Sequence, residues 1–273
     1  MEALMGVTNF ISRCTEDHIV LSDCDVICNL DLSAVLAKHE ESDADLTIVT
    51  RPFSPKEAFY PDNIYVVSSD ENNMATDVVR YSGTKHSVEI STNIMVFKRG
   101  FLLNLIREAS ARGYQDFYRD VISRVVRKNH VLVYPCDGLF LQITSLESYF
   151  ASSMRLLEKN VRESLFGVRY RPIYTKVRNS APTTYAKDAK VINSYVADGC
   201  VIEGTVENSI IFRGVKVGKG TVIRNSILLQ DTFTGNNVTL NCVITDKNAV
   251  IKDGRLLSGH ETMPFFIGKG VTV

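Results

Sequence analysis

Two carboxylates stand in the run Ile19-Val-Leu-Ser-Asp23-Cys-Asp25-Val-Ile-Cys-Asn-Leu-Asp-Leu32. The aliphatic residues up to Leu21 read as the end of a buried strand. Asp23 and Asp25 then fall just beyond its carboxyl end, which is where ligands bind in open α/β sheets. Carboxylates placed there can hold Mg²⁺, which keeps several waters and takes one or two carboxylates together with phosphate oxygens. Such a metal would neutralise phosphate charge during nucleotidyl transfer. The same spacing also suits a carboxylate that caps a turn. Cysteines occur at 14, 24, 28, 136, 200 and 242, with no Cys-x-x-Cys pair. Cys24 and Cys28 lack the second pair or nearby histidine that a zinc set needs, so the six read as reduced thiols of a cytoplasmic protein. Histidines 18, 39, 86, 130 and 260 show no metal-ligand spacing.

The elements that would position these groups follow two grammars. Up to about residue 160, strand and helix signals alternate. Asp31 to His39 reads as a helix with Leu32, Val35 and Leu36 on one face. Strands are expected at Leu46–Thr50, Asn63–Val67, Asp77–Arg80, Asn93–Phe97, His130–Tyr134 and Leu139–Ile143. Helices are expected at Gly100–Ala109, Asp116–Arg127 and Ser145–Leu157, the last with Leu146, Tyr149, Phe150, Met154 and Leu157 near helical spacing. Such alternation argues for a sheet with helices on both faces. From Ala189 to Ile251 the helical pattern disappears. Apolar residues return every five or six positions instead: Val196, Val201, Val206, Ile211, Val217, Val222, Ile227, Val238 and Val243. Gly and Asn punctuate them. A near-hexapeptide period signifies a parallel β-helix, whose recurring aliphatic fills the prism and whose coils bury one another's edges. A β-sandwich would alternate at period two. The expected organisation is an incomplete α/β domain over residues 1–165, a linker over 166–188 and a β-helix over 189–273.

Composition narrows the function. The 273 residues are 45% apolar and 23% charged, ordinary globular values, and 31 basic residues balance 31 acidic ones. That balance argues against a dedicated nucleic-acid binder. No apolar run reaches the roughly 18 residues of a membrane span, and the N-terminus shows no signal-peptide pattern.

Several motifs in order resemble the sugar-1-phosphate nucleotidyltransferases, specifically the glucose-1-phosphate adenylyltransferases. Leu21-Ser-Asp-Cys-Asp25-Val-Ile-Cys-Asn-Leu-Asp31 resembles the family's Gly-Asp metal motif, with Cys24 at the usual Gly. Ser91-Thr-Asn-Ile-Met-Val-Phe97 is similar to Ser-Met-Gly-Ile-Tyr-x-Phe, the strand that contacts the sugar phosphate. Asp116-Phe-Tyr-Arg-Asp-Val-Ile122 is similar to Asp-Phe-Gly-x-Asp-Ile-Ile. Leu139 to Tyr149 stands where the family has Tyr-Trp-x-Asp-Val-Gly-Thr-x-x-x-Tyr, and Arg171-Pro-Ile-Tyr-Thr175 resembles its linker into the β-helix. The resemblance implies a partial Rossmann-like nucleotidyltransferase domain followed by a left-handed parallel β-helix. It implies Asp25 as a metal position, Ser91 as a substrate contact and Mg²⁺ as the cofactor.

The departures point away from catalysis. No Gly-rich nucleotide loop, which would aim backbone N–H groups at phosphates, precedes Val20. By comparison with the family the chain starts about a hundred residues late. The second metal Asp falls on Gln142, whose neutral amide is a poorer Mg²⁺ ligand. The family's Glu-Lys-Pro has no counterpart between Asp77 and Ser91; Lys85 lies nearby but outside the motif. These losses resemble the non-catalytic, regulatory D-type subunit of bacterial glycogen synthesis. The expectation is therefore an N-terminally shortened, oligomeric, cytoplasmic subunit that partners a catalytic chain and binds neither nucleic acid nor membrane. The alternatives are an active sugar-1-phosphate nucleotidyltransferase and an acyltransferase, for which His260 is the sole candidate. Arg169, Arg171, Lys176 and Arg178 are a candidate anion cluster near the linker, or simply a solvated charged segment.

Overall fold

Leu46–Phe53 is the spine of the N-terminal half, because both faces of this strand are buried. The computed structural model describes residues 1–55, 63–83 and 86–273, so Lys85 lies outside the described residues. Two compact units emerge, Met1–Phe140 and Leu141–Val273.

The first unit runs α1 (Glu2–Gly6), α2 (Thr8–Arg13), β1 (His18–Leu21), β2 (Val26–Cys28), α3 (Leu32–Glu41), β3 (Leu46–Phe53), β4 (Tyr65–Ser69), β5 (Ala75–Arg80), β6 (Val88–Lys98), α4 (Arg99–Arg112), a π-helical turn (Phe117–Ile122), α5 (Ser123–Val125), β7 (Val131–Pro135) and β8 (Phe140–Gln142) at the boundary. The main sheet is mixed, in the order β5-β4-β6-β3-β7, and only the β3–β7 pair in it is parallel. The two-residue period of a strand sorts its side chains. Leu46 and Ile48 of β3, with Met95 and Phe97 of β6, meet Leu102 and Ile106 of α4. Val49, with Ile94 and Val96, meets Val35 of α3 on the other face. Helices therefore cover both faces, as the sequence pattern implies.

Three local expectations change. β1 is antiparallel to β6, has no second strand partner among the described residues, and leaves Val20 45% exposed, so it is not a buried strand. In α3, Leu32 is exposed and His39 is buried in its place. His39 is tolerated there because its Nδ1 lies 2.7 Å from the Thr47 hydroxyl. The helix expected from Asp116 begins with π geometry, and Asp116 caps it by accepting from the Arg119 N–H at 2.7 Å.

The second unit opens with α6 (Leu146–Arg155) and α7 (Lys159–Phe166), then builds a three-sided parallel β-solenoid from three five-stranded sheets. Lys190, Thr205, Val222, Thr239 and Leu256 stack on one side, so a coil takes 15 residues once and 17 thereafter. A 17-residue coil cannot hold three strict hexapeptides, and the phase slips by one residue. This is why Val201, Val222 and Ile227 are not the interior residues of their strands, and Ile202, Ile223 and Leu228 are. The interior hydroxyls are paired, as Thr232 and Thr245 at 2.8 Å illustrate. At one corner the Oγ of Ser194 accepts the N–H of Ser209 at 3.0 Å, and the Oγ of Ser209 accepts that of Ser226 at 3.1 Å, a ladder that joins successive coils.

One side of the solenoid is apolar outside as well as inside. Its outward residues Ile210, Ile227 and Ile244 are covered by Leu146, Tyr149, Phe150 and Met154 of α6. Ser145 starts that helix, its Oγ accepting the Ser148 N–H at 3.1 Å while the Ser148 hydroxyl accepts the Ser145 N–H at 2.8 Å, a capping box. The same cover explains Cys242. It occupies a left-handed corner that carries Asn193, Asn208 and Asn225 in the other coils, but it is buried beneath Phe150. A small apolar side chain fits there better than an unpaired amide.

Candidate functional site

The sequence places Asp23, Asp25 and Ser91 in one neighbourhood, and the structure selects among them. β1 and β6 run side by side with Leu21 opposite Met95, which brings Asp23 to Asn93. The Nδ2 of Asn93 donates to Asp23 Oδ2 at 2.5 Å. Asn93 Oδ1 accepts from the Tyr118 hydroxyl at 2.6 Å. Tyr118 has one proton and gives it to Asn93, so the Ser91 hydroxyl, 2.7 Å away, must donate to the Tyr118 oxygen. The Ser91 Oγ in turn accepts the Asn93 N–H at 3.2 Å, which closes the ring. Each member thus has its orientation set by the next.

The backbone explains why Asn stands here. Asn93 has φ +61°, in the left-handed region. Gly and Asn enter that region most readily. The motif that Ser91–Phe97 resembles has Gly at this place, so the asparagine keeps the backbone of the motif and adds an amide. β3 answers with a register shift between Ile48 and Thr50.

Tyr118 is clamped on its other side by Tyr65, stacked with ring centroids 4.0 Å apart and planes 8° from parallel. Burial pushes its phenol well above the usual tyrosine value; the Ser91 hydrogen bond opposes this and the Asp23 charge adds to it. The phenol therefore remains a proton donor across the physiological range. Above the ring opens a concavity of about 320 Å³, bounded by Leu4 and Leu21 on apolar sides and by Phe117, Tyr118, Asn93 and Asp23 on the polar side. A carboxylate, an amide, a phenol and aromatic faces suit a polyhydroxylated ligand. The Ser91 hydroxyl donates to Tyr118, and Ser91 is not among the residues that line the concavity.

Asp25 is partly buried, two residues along, and engaged in an interaction of its own. It lies in the first unit and Gln142 in the second. Among the described residues no three His, Cys, Asp or Glu side chains are grouped to hold a metal ion. Sequence reasoning missed Asn93 and Tyr118. The signals were an asparagine inside a β-branched run, where such a residue is disfavoured, and the fact that Asn93 and Tyr118 both stand where the motifs their segments resemble have Gly. His260 is exposed in a turn added to the last coil, with Nδ1 2.9 Å from the Thr262 hydroxyl. Arg169, Lys176 and Arg178 are exposed along a segment without helix or strand, and Arg169 stacks on Tyr170 at 4.8 Å.

Comparison with known proteins agrees with this architecture. A GlmU-like, C-terminal hexapeptide family model matches residues 179–261. The chain is 35% identical over 262 residues to the glycogen biosynthesis protein GlgD of Geobacillus stearothermophilus, covering 96% of this chain and 65% of that protein. It is 30% identical over 263 residues to the GlgD of Bacillus subtilis strain 168, covering 96% and 66%. It is 29% identical over 219 residues to a glucose-1-phosphate adenylyltransferase of Geobacillus stearothermophilus, covering 79% and 56%. The chain thus spans 65–66% of the length of the two GlgD proteins. The mixed sheet, the solenoid and these similarities, which run nearly end to end, place the chain in the family of glucose-1-phosphate adenylyltransferases and GlgD glycogen biosynthesis proteins.

Proposed function

We propose that the chain is part of a regulatory, non-catalytic subunit of the glucose-1-phosphate adenylyltransferase of glycogen synthesis, the enzyme that makes ADP-glucose and diphosphate from ATP and glucose 1-phosphate. The observation that carries this reading is the closed ring Ser91–Tyr118–Asn93. Where the family motif has a glycine, the Asn93 side chain occupies space and ties itself to Asp23 at 2.5 Å. A bare backbone would leave that space to a ligand. In this reading Ser91 is a positioning residue for Tyr118, and the concavity keeps a capacity to bind sugar hydroxyls without reacting on them.

The metal fits poorly. Mg²⁺ is the ion this chemistry uses, and the positions assigned to it are one carboxylate, Asp25, and one neutral amide, Gln142. Mg²⁺ binds such a pair much more weakly than two carboxylates, so no step of the chain's action is routed through it. The partner is a catalytic subunit, and the assembly is oligomeric and cytoplasmic. No helix among the described residues is long and apolar enough to cross a membrane.

The test is to mix the chain with a catalytic glucose-1-phosphate adenylyltransferase and follow ADP-glucose formation and co-elution in size-exclusion chromatography. Co-elution with an altered kcat or KM supports the reading. Separate elution with unchanged kinetics removes it.

A further inference from the structure

The concavity above Tyr118 carries a negative charge and no positive side chain to offset it. None of the residues that line it is Lys, Arg or His, and Asp23 is its one charged side chain. Asp23 is exposed and forms no ion pair among the described residues. A phosphate ester entering this space would meet a bare carboxylate. For a dianion a few ångströms from Asp23, the repulsion is worth roughly a tenfold loss of affinity even in water.

The groups left for a ligand are a matched pair. Asp23 Oδ2 accepts one N–H of the Asn93 amide at 2.5 Å, which leaves Oδ1 as an acceptor and the second N–H of Nδ2 as a donor. The Tyr118 proton is committed to Asn93 Oδ1, so the amide cannot turn over and exchange its donor for its acceptor. An acceptor and a donor held side by side suit two neighbouring hydroxyls, one giving its proton to the carboxylate and the other accepting from the amide. A vicinal diol of a sugar ring has that form. Phe117 and Tyr118 line the same space with their rings 80° apart, and Leu4 and Leu21 close it on the apolar sides. The C–H face of a pyranose can lie against such a surface. At about 320 Å³ the space is at the small end of ligand sites, which suits one sugar ring and leaves no room for a whole nucleotide.

We propose that the concavity selects an uncharged sugar ring over a sugar phosphate, with the Asp23 carboxylate and the Asn93 amide as its hydrogen-bonding ligands and Phe117 as an apolar wall. This rests on the reading of the concavity as a binding site that does not react, and it names the ligand class. The neutral ring can come from a free sugar or from the terminal unit of a glucan.

The experiment is equilibrium titration of the whole chain, followed by tyrosine fluorescence, with glucose, maltotriose and glucose 1-phosphate at matched ionic strength and without Mg²⁺. Saturable binding of glucose or maltotriose with Kd of about 1 mM is expected, and glucose 1-phosphate should bind roughly tenfold more weakly. Tighter binding of maltotriose identifies a glucan end as the source, and equal binding a single free ring. Asp23→Asn should weaken the neutral sugar about tenfold, the loss of a charged acceptor, and should narrow its advantage over glucose 1-phosphate. Asn93→Gly keeps the left-handed backbone and should weaken the neutral sugar several-fold through loss of the donor. Phe117→Leu should also weaken it. Lys219→Ala, in the solenoid, should change nothing. The proposal is overturned if neither neutral sugar saturates, if glucose 1-phosphate binds as tightly as glucose, or if Asp23→Asn binds as the parent does. No catalytic subunit is present in this titration, so its failure leaves co-elution and altered kinetics standing, and failure of those leaves a measured sugar affinity standing.

Discussion

Replacing Asn93 tests the ring and the backbone beneath it separately. Asn93→Gly removes an acceptor for Tyr118 at 2.6 Å and a donor to Asp23 at 2.5 Å. A neutral hydrogen bond is worth about 0.5–1.5 kcal/mol net and one to a charged group about 1.5–3. Asp23 is exposed and water replaces part of the loss, so about 2 kcal/mol for the pair is the working figure. Asn93→Ala loses the same bonds and also places a Cβ at φ +61°, a further cost of about 1–2 kcal/mol for an ordinary residue. Glycine should therefore be the better replacement by about 1 kcal/mol, whereas within an ordinary strand it is worse than alanine by roughly 0.5–1. The chain has 11 tyrosines and no tryptophan, so tyrosine fluorescence follows urea unfolding. Deuterium exchange at the amides of β6 locates the effect, with about tenfold faster exchange per 1.4 kcal/mol lost. An alanine variant as stable as the glycine variant, or unchanged exchange in β6, would refute the reasoning.

Burial first, and then the charges of His18 and Lys98, lower the His39 imidazole from 6.5 to about 4. Its neutral form belongs to the fold, so its contribution is complete above about pH 6.5 and is lost as pH falls through 6.5 toward 4. The full effect is at most about 3 kcal/mol. Stability curves at pH 7.5 and 4.5 should fall further for the parent than for His39→Gln, and equal falls would contradict the assignment. Phe150→Ala should destabilise the second unit by about 3–5 kcal/mol, because it uncovers Ile227 and Ile244 together. Thermal unfolding would show this, and a loss below 1 kcal/mol would mean α6 is not needed as cover. Gly218→Ala would bring a Cβ within 2.3 Å of the Gly235 carbonyl oxygen one coil away. It should cost about 2–3 kcal/mol by overpacking, and a neutral result would show that the coils can move apart.

The solenoid was the most legible part, because its period repeats and each coil confirms the last. What the period did not show was phase. Strands such as Val201-Ile202 and Val222-Ile223 offer two adjacent aliphatics, and only the 17-residue coil length decides which faces inward. The main sheet's elements were legible for the same reason, since β3 and β6 carry long β-branched runs. Their pairing was not. Nothing local states that β1 is antiparallel to β6, and this pairing is what carries Asp23 to Asn93. The two carboxylates looked equivalent from spacing alone, yet Asp23 joins the ring with Asn93, while Tyr118 arrives from a helical segment 25 residues beyond Asn93. α6 read correctly as a helix, but its partner, the outward column Ile210–Ile244, follows it by more than fifty residues and is invisible to any local pattern.

The central claim is that this chain has exchanged catalysis for regulation, and turnover tests it most directly. The chain alone should be assayed for ADP-glucose formation from ATP and glucose 1-phosphate with Mg²⁺, beside a catalytic glucose-1-phosphate adenylyltransferase as the positive control. The account predicts no product above background from the chain alone. Sustained turnover that disappears in an Asp25→Asn variant would contradict it, because one carboxylate and the Gln142 amide would then suffice for the metal.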